Sequence, residues 1–332
     1  MPELRKDPIT DRWVIISSER GKRPNDFTTV ITSKNNASSP FSYGNEHMTP
    51  PEIYAIRENN QQPDTPGWKL RVVPNKYPAV NIENAPGAQE AGVFYSCNNF
   101  GAHEVIIETP ETTSRLEDLP VEAIAEVFKA FKQRIASLKG DYRLKYVLIF
   151  KNQGFAAGAS LLHSHSQLIA LPIVPKEVKE EMRGAQRYFD KQNRCIFCDI
   201  ILQELKNDIR VVYEAAEAIA IAPFAARVPF ETWILPKTHA SHFETTDDAH
   251  LKHLAVAFKI VMQKLNFALQ SPSYNFVLHT APLQQTSTRN YHWHLEILPR
   301  LENVAGFEWG TGFYINSISP EAAAQFLNES VV

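Results

Sequence analysis

A chain of 332 residues with 34 Lys and Arg against 37 Asp and Glu has a formal charge of -3, and both signs are interspersed along it. That pattern excludes a nucleic-acid partner held on a basic surface, so any phosphate chemistry must be local. A hydrophobic share of 44% excludes disorder as the main theme, no apolar run approaches a membrane span, and Cys97, Cys195 and Cys198 are too few for a disulfide framework.

The chain opens Met1-Pro-Glu-Leu-Arg-Lys-Asp-Pro, with charges where a signal peptide needs an apolar segment, so a cytoplasmic location is expected. Lys34 to Tyr43 has loop composition. A β-branched strand, Glu104-Val-Ile-Ile-Glu108, then leads through a Thr-Pro turn and a polar loop to an amphipathic helix from about Val121 to Leu138 and a strand at Lys145 to Phe150. A loop, a His-x-His pair at His163 and His165, and a buried strand from Leu168 to Val174 complete this half. The stretch from Pro175 to Asn193 is rich in Lys and Glu and is expected to be a helical linker.

The same order then recurs. Cys195-Ile-Phe-Cys198 is followed by the strand Glu231-Thr-Trp-Ile-Leu235, by Pro236, and by a helix with Leu251, Leu254, Ala255, Phe258 and Val261 on one face. A strand at Tyr274 to Leu278 and a second pair, His292 and His294, close the copy 129 residues after the first. An internal repeat of this kind predicts an α+β fold built from two modules, each a mostly antiparallel sheet covered by a long helix. The expected division is 1–174, a linker at 175–193, and 194–332.

The chemistry concentrates in Lys151-Asn-Gln-Gly-Phe-Ala-Ala-Gly-Ala-Ser160-Leu-Leu-His163-Ser-His165-Ser-Gln167. Small residues from Gly154 to Ser160 let backbone approach a ligand, and successive free N–H groups there would form an anion nest. In an extended segment His163, His165 and Gln167 alternate with Ser164 and Ser166 and share one face. A neutral imidazole beside a phosphate can attack phosphorus, provided that its other nitrogen donates its hydrogen to a fixed acceptor such as a carbonyl. Gln167 would bind a phosphate oxygen without taking up charge. A single strand histidine is more often a core residue satisfied by backbone; two with a Gln after such a loop favour catalysis.

These motifs resemble the galactose-1-phosphate uridylyltransferase family, the transferase branch of the histidine-triad superfamily. The similarity extends to Asp7-Pro-Ile-Thr-Asp-Arg-Trp13 through Arg20-Gly-Lys-Arg23-Pro24, to Pro40-Phe41, Gly44-Asn45-Glu46 and Thr49-Pro-Pro-Glu52, and to Val73-Pro-Asn75-Lys-Tyr77-Pro. The resemblance implies that His165 is the nucleophile of a ping-pong uridylyl transfer from UDP-glucose to a hexose 1-phosphate such as galactose 1-phosphate. It assigns His163, Ser160 and Gln167 to the catalytic site and Arg20, Arg23, Asn75, Tyr77, Asn152, Gly158 and Ala159 to substrate binding, in a homodimer.

The family's first-module zinc ligands are replaced here, with Ser39 and Ser42 at the cysteine positions and Thr112 in the loop, so no metal is expected in that module. The second module has the equivalent set intact in Cys195, Cys198, His239 and His292, two thiolates and two imidazoles suited to one structural zinc. His242 is a rival to His239, and a redox pair is the alternative for the cysteines. His279 is a further metal candidate by family analogy, against a core role. His294 stands where the nucleophile would, but after a polar loop without glycine and with Glu296 in place of Gln167, so the second copy is expected to be a scaffold. The segment Gly306 to Asn316, with Trp309, Phe313 and Tyr314, is more similar to relatives that act as ADP-glucose phosphorylases, where inorganic phosphate takes up an adenylyl group. That activity, or nucleotide-sugar binding without turnover, is the alternative.

Overall fold

The computed structural model describes residues 2–18, 39–57, 61–112, 114–286 and 288–330. In chain order the first half comprises β1 (Glu3–Lys6), β2 (Trp13–Ile16), β3 (Tyr54–Arg57), β4 (Trp68–Pro74), the exposed hairpin β5 (Ala88–Ala91) and β6 (Phe94–Cys97), β7 (Ala102–Ile107), α1 (Val121–Lys139), β8 (Tyr146–Gln153) and β9 (His165–Leu171). After α2 (Lys176–Gln192) come α3 (Ile196–Asn207), β10 (Val211–Glu214), β11 (Ala218–Ile221), β12 (Thr232–Pro236), α4 (Asp248–Leu269), β13 (Tyr274–His279), β14 (His294–Pro299), α5 (Gly306–Thr311), β15 (Tyr314–Asn316) and α6 (Pro320–Glu329).

The expected repeat is present, but its two sheets are one. Ten strands run β10-β11-β12-β14-β13-β8-β9-β7-β4-β3, antiparallel throughout. The seam is the β8–β13 pair, with Asn152 opposite Asn275 and Phe150 opposite Val277. Pairing these strands satisfies two sheet edges that would otherwise be open. The two ends of the described chain also meet, since β15 runs parallel to β2 on the side away from β1, and Arg5 donates to Glu321 of α6. The first residues are thereby tied to the last, which a division at 174 does not anticipate.

Helices α1 and α4 bury apolar stripes at helical spacing, Ile124, Val127, Phe128, Phe131 and Ile135 on one, Leu251, Leu254, Phe258 and Val261 on the other. Both stripes join a core with Ile149, Leu168, Phe276 and Ile297, and the Phe128 and Phe258 rings meet edge to face at 5.8 Å. Asp247 caps α4 by accepting from the His250 N–H. Burial alternates along β9, with Leu168 and Ala170 in this core. His165 and Gln167 are therefore on the opposite face, away from the helices.

Candidate active site and metal centre

His165 opens β9, and His163 precedes the strand rather than lying within it. The ring of His165 is oriented by its own chain: Nδ1 donates to the carbonyl of His163 at 2.8 Å. Its hydrogen is thus fixed at Nδ1, and among the described residues Nε2 has no hydrogen-bond partner. Burial, and then the nearby Lys151 ammonium, lower the pKa of His165 and keep the imidazole neutral. His163 is turned the other way, with Nε2 donating to the Thr109 carbonyl at 2.6 Å and Nδ1 buried without a partner. The Phe41 ring stands edge-on to both histidines, at 5.8 and 5.4 Å.

On the core side of the same strand is an ion pair with no exposed side-chain area. Lys151 Nζ is 2.7 Å from Glu108 Oε2 and also donates to Ser164 Oγ at 3.0 Å and to the His165 carbonyl at 3.1 Å. The Ser164 and Ser166 hydroxyls donate to the two oxygens of Glu108. The serines that alternate with the histidines therefore anchor the strand. Only their alternation hinted at this; the Lys and Glu are 43 residues apart in sequence.

Two carboxamides reach the histidine face with their oxygens already engaged. Gln167 Oε1 is 2.9 Å from His103 Nε2, and Asn152 Oδ1 accepts from Asn275 Nδ2 at 2.7 Å. Asn275 is itself held by Arg300 and also donates to the Ala157 carbonyl at 2.9 Å. Asn75 joins this group, its Nδ2 being 3.1 Å from the His103 ring, while the Tyr77 side chain is 83% exposed and free to meet a ligand. His103, Asn275 and Arg300 were not singled out in the sequence, where each looks like an ordinary strand or turn residue.

The loop differs from the expected nest. Phe155–Ala157 forms a short 3-10 turn, and the N–H groups of Ala157, Gly158 and Ala159 are donated to the carbonyls of Gly154 and Phe155. Gly158 has φ +81, a left-handed turn position rather than an open donor, while Gly154, at φ +83, has no room for a Cβ against Ser273. Ser160 is exposed, and its N–H has no acceptor among the described residues. Arg20 and Arg23 lie outside the described residues.

In the second half the structure brings together Cys195, Cys198, His239 and His292, with one ligand atom from each within 4.8 Å of the others. Cys198 Sγ is 3.4 Å from His239 Nδ1 and 3.6 Å from His292 Nδ1. Each ring presents Nδ1 to the thiols while its Nε2 faces a carbonyl, Thr288 at 3.2 Å for His239 and Pro236 at 2.9 Å for His292. That is how backbone acceptors orient metal-binding imidazoles, so the donor set fits zinc. His242 is elsewhere, paired with Ser241 Oγ at 2.8 Å.

The sequence pattern described as galactose-1-phosphate uridyl transferase, N-terminal domain, matches residues 1–175. A second pattern, a domain of unknown function, matches residues 109–331. ADP-glucose phosphorylase of Arabidopsis thaliana is 41% identical, over 99% of this chain and 93% of that protein. Galactose-1-phosphate uridylyltransferase of Thermotoga maritima is 30% identical, over 100% and 99%. The chain belongs to the galactose-1-phosphate uridylyltransferase family. Among solved structures, the Arabidopsis ADP-glucose phosphorylase with bound ADP-glucose superimposes with a TM-score of 0.87 at 38% identity, covering all of both chains. A uridylyltransferase superimposes with a TM-score of 0.78 at 29% identity, covering 99% of this chain and 98% of that one.

In this member of the uridylyltransferase family the second His-x-His pair repeats the backbone device of the first. His294 Nδ1 is 3.2 Å from the His292 carbonyl, but its Nε2 faces the Glu181 carboxylate at 3.3 Å. His279 stacks on His294 with centroids 4.8 Å apart. Burial opposes a charge on His279, yet Glu296 and Glu181 raise its pKa to about 10. Burial likewise opposes ionisation of Glu296, but Arg227 and His279 pull its carboxyl well below the usual range. Glu181, His279 and His294 also lie close enough to hold a metal. An anion at 296 and the Glu181 carboxylate in front of the 294 nitrogen make this half unsuited to phosphate attack.

Proposed function

We propose that the protein is a nucleotidyltransferase that forms a covalent nucleotidyl-histidine at His165. The observation that carries this reading is the Nδ1–H bond to the His163 carbonyl, which leaves a neutral Nε2 as the reactive nitrogen. In the first step the Nε2 lone pair attacks the α-phosphorus of a nucleoside diphosphate sugar; a P–N bond forms and the P–O bond to the departing sugar 1-phosphate breaks. Positive charge grows on the ring and is stabilised by the His163 carbonyl. The amide groups of Gln167 and Asn152 and the hydroxyl of Ser160 donate to the phosphoryl oxygens, with Gly158 and Ala159 shaping the turn that presents Ser160. Asn75 and Tyr77 line the nucleotide side, and Arg20 and Arg23 bind phosphates. In the second step an acceptor phosphate oxygen attacks the same phosphorus and His165 departs with its lone pair.

The adenylyl form, ADP-glucose and inorganic phosphate giving ADP and glucose 1-phosphate, is favoured by the 41% identity to the Arabidopsis phosphorylase and by the C-terminal segment with Trp309 and Tyr314. Uridylyl transfer from UDP-glucose to galactose 1-phosphate is the second reading, supported by the match over 1–175 and the Thermotoga relative. One structural zinc on Cys195, Cys198, His239 and His292 would tie α3 to the loops after β12 and before β14, and takes no part in the transfer. We divide the chain into a catalytic half at 1–174, a linker at 175–193 and a metal-bearing half at 194–332. We place it as a cytoplasmic homodimer without nucleic-acid or membrane partners; among the described residues no helix is long and apolar enough to cross a membrane.

The test is glucose 1-phosphate release from ADP-glucose with inorganic phosphate, and from UDP-glucose with galactose 1-phosphate. Either pair should turn over, the first faster, and His165→Ala should lose about four orders of magnitude or more in kcat. Turnover unchanged in that variant refutes the reading.

A further inference from the structure

A carboxamide has a donor end and an acceptor end of nearly the same shape, and nothing in an isolated strand decides which faces a ligand. Beside a phosphoryl group only the NH2 end of Gln167 is useful, because its oxygen would repel the phosphate oxygens. We propose that His103 is a positioning residue that sets this choice, an inference that rests on the nucleotidyl-histidine reading above.

His103 lies on β7, which pairs with β9, opposite Ile169 and one same-face step from Gln167. Its Nδ1 is 3.1 Å from the backbone N–H of Ala79. A backbone N–H cannot exchange donor for acceptor, so the ring lone pair is at Nδ1 and its hydrogen at Nε2. That hydrogen points to Gln167 Oε1 at 2.9 Å, so the Gln167 oxygen is occupied and its NH2 group is free to face the site.

A second amide stands against the same ring nitrogen, and the Ala79 N–H decides the tautomer against it. Asn75 Oδ1 accepts from the Tyr77 N–H at 2.9 Å, which turns Asn75 Nδ2 toward His103 Nε2 at 3.1 Å. With the Nε2 hydrogen given to Gln167, the Asn75 amide group makes no bond to the ring and keeps its own hydrogens for a ligand. Moving the ring hydrogen to Nδ1 would set it against the Ala79 N–H. His103 thus converts the backbone N–H at 79 into a defined orientation for the Gln167 amide. Asn275 does the same for Asn152 from across the seam, so each phosphate-facing amide has its oxygen held by a neighbour.

The experiment measures single-turnover labelling of the protein by ADP-glucose for the wild type, His103→Phe, Gln167→Ala and the double variant, with His103→Gln as the conservative replacement. Thermal unfolding of each checks folding, since Phe also removes the acceptor for Ala79. The expected result is a loss of about 10- to 100-fold for His103→Phe, with saturation by ADP-glucose shifted less than about threefold. The double variant should be no slower than Gln167→Ala, and His103→Gln, whose amide can reach Oε1, should recover most of the rate. Losses that multiply in the double variant, a His103→Phe rate within about twofold of wild type, or no recovery with Gln, would overturn the proposal. A Gln167→Ala protein that labels at the wild-type rate would instead remove the assigned role of Gln167.

Discussion

Lys151→Met probes the anchor beneath the reactive strand. Lys151 and Glu108 have no exposed side-chain area, and all three ammonium hydrogens are used, on Glu108, Ser164 Oγ and the His165 carbonyl. Methionine has nearly the same length but no donors, so it leaves a buried carboxylate with two serine hydroxyls and a strand carbonyl without its bond. Removing one partner of a buried pair costs about 3–5 kcal/mol, a large part of the 5–15 kcal/mol that holds a typical domain together. Urea unfolding of wild type and variant at pH 7.5 reads this as a lower midpoint with an unchanged slope. Lys151→Met combined with Glu108→Gln should be less damaging than Lys151→Met alone, because the stranded charge is gone. The charge also acts on His165: Lys151 lowers its pKa and Glu108 raises it, so Lys151→Met should move the acid limb of labelling to higher pH. A loss under about 1 kcal/mol, or a double variant as unstable as the two single losses added, would refute this reasoning.

Burial depresses the pKa of both His163 and His165 below 6.5. The wild-type acid limb should therefore lie below pH 6.5; a limb above that value contradicts it. The same groups bind fewer protons folded than unfolded, so their contribution to stability is complete above pH 6.5 and is lost as the pH falls through their folded values. In the difference between wild type and His163→Asn, a wild-type advantage that grows on acidification from pH 7 to 5 would contradict that sign. Metal analysis should find about one zinc per chain, lost in Cys195→Ser/Cys198→Ser together with a lower melting temperature. Much less than one equivalent, unchanged by the substitutions, would remove the zinc assignment.

The duplicated order and the His-x-His-x-Gln segment were legible because they are local patterns: a repeat is visible in one chain, and alternation in a strand needs no partner. Repeat alignment also selected His239, which the fold brings to Cys198 while leaving His242 with Ser241. What escaped the sequence depends on partners distant along the chain. The β8–β13 seam joins strands more than a hundred residues apart, and with it comes Asn275 against Asn152. Lys151 in an apolar strand looks like an exposed charge until Glu108 is placed beside it. The nest expectation failed for the opposite reason: a 3-10 turn consumes the N–H groups of Ala157, Gly158 and Ala159 locally, before any ligand can.

The most direct test of the account is intact-mass spectrometry after separate incubation with ADP-glucose and UDP-glucose, quenched at alkaline pH to preserve a phosphoramidate, with the label then mapped by peptide. The account predicts one nucleotidyl adduct per chain, on His165, abolished in His165→Ala and discharged by the acceptor phosphate. No adduct with either donor, or a label on any other residue, would contradict it.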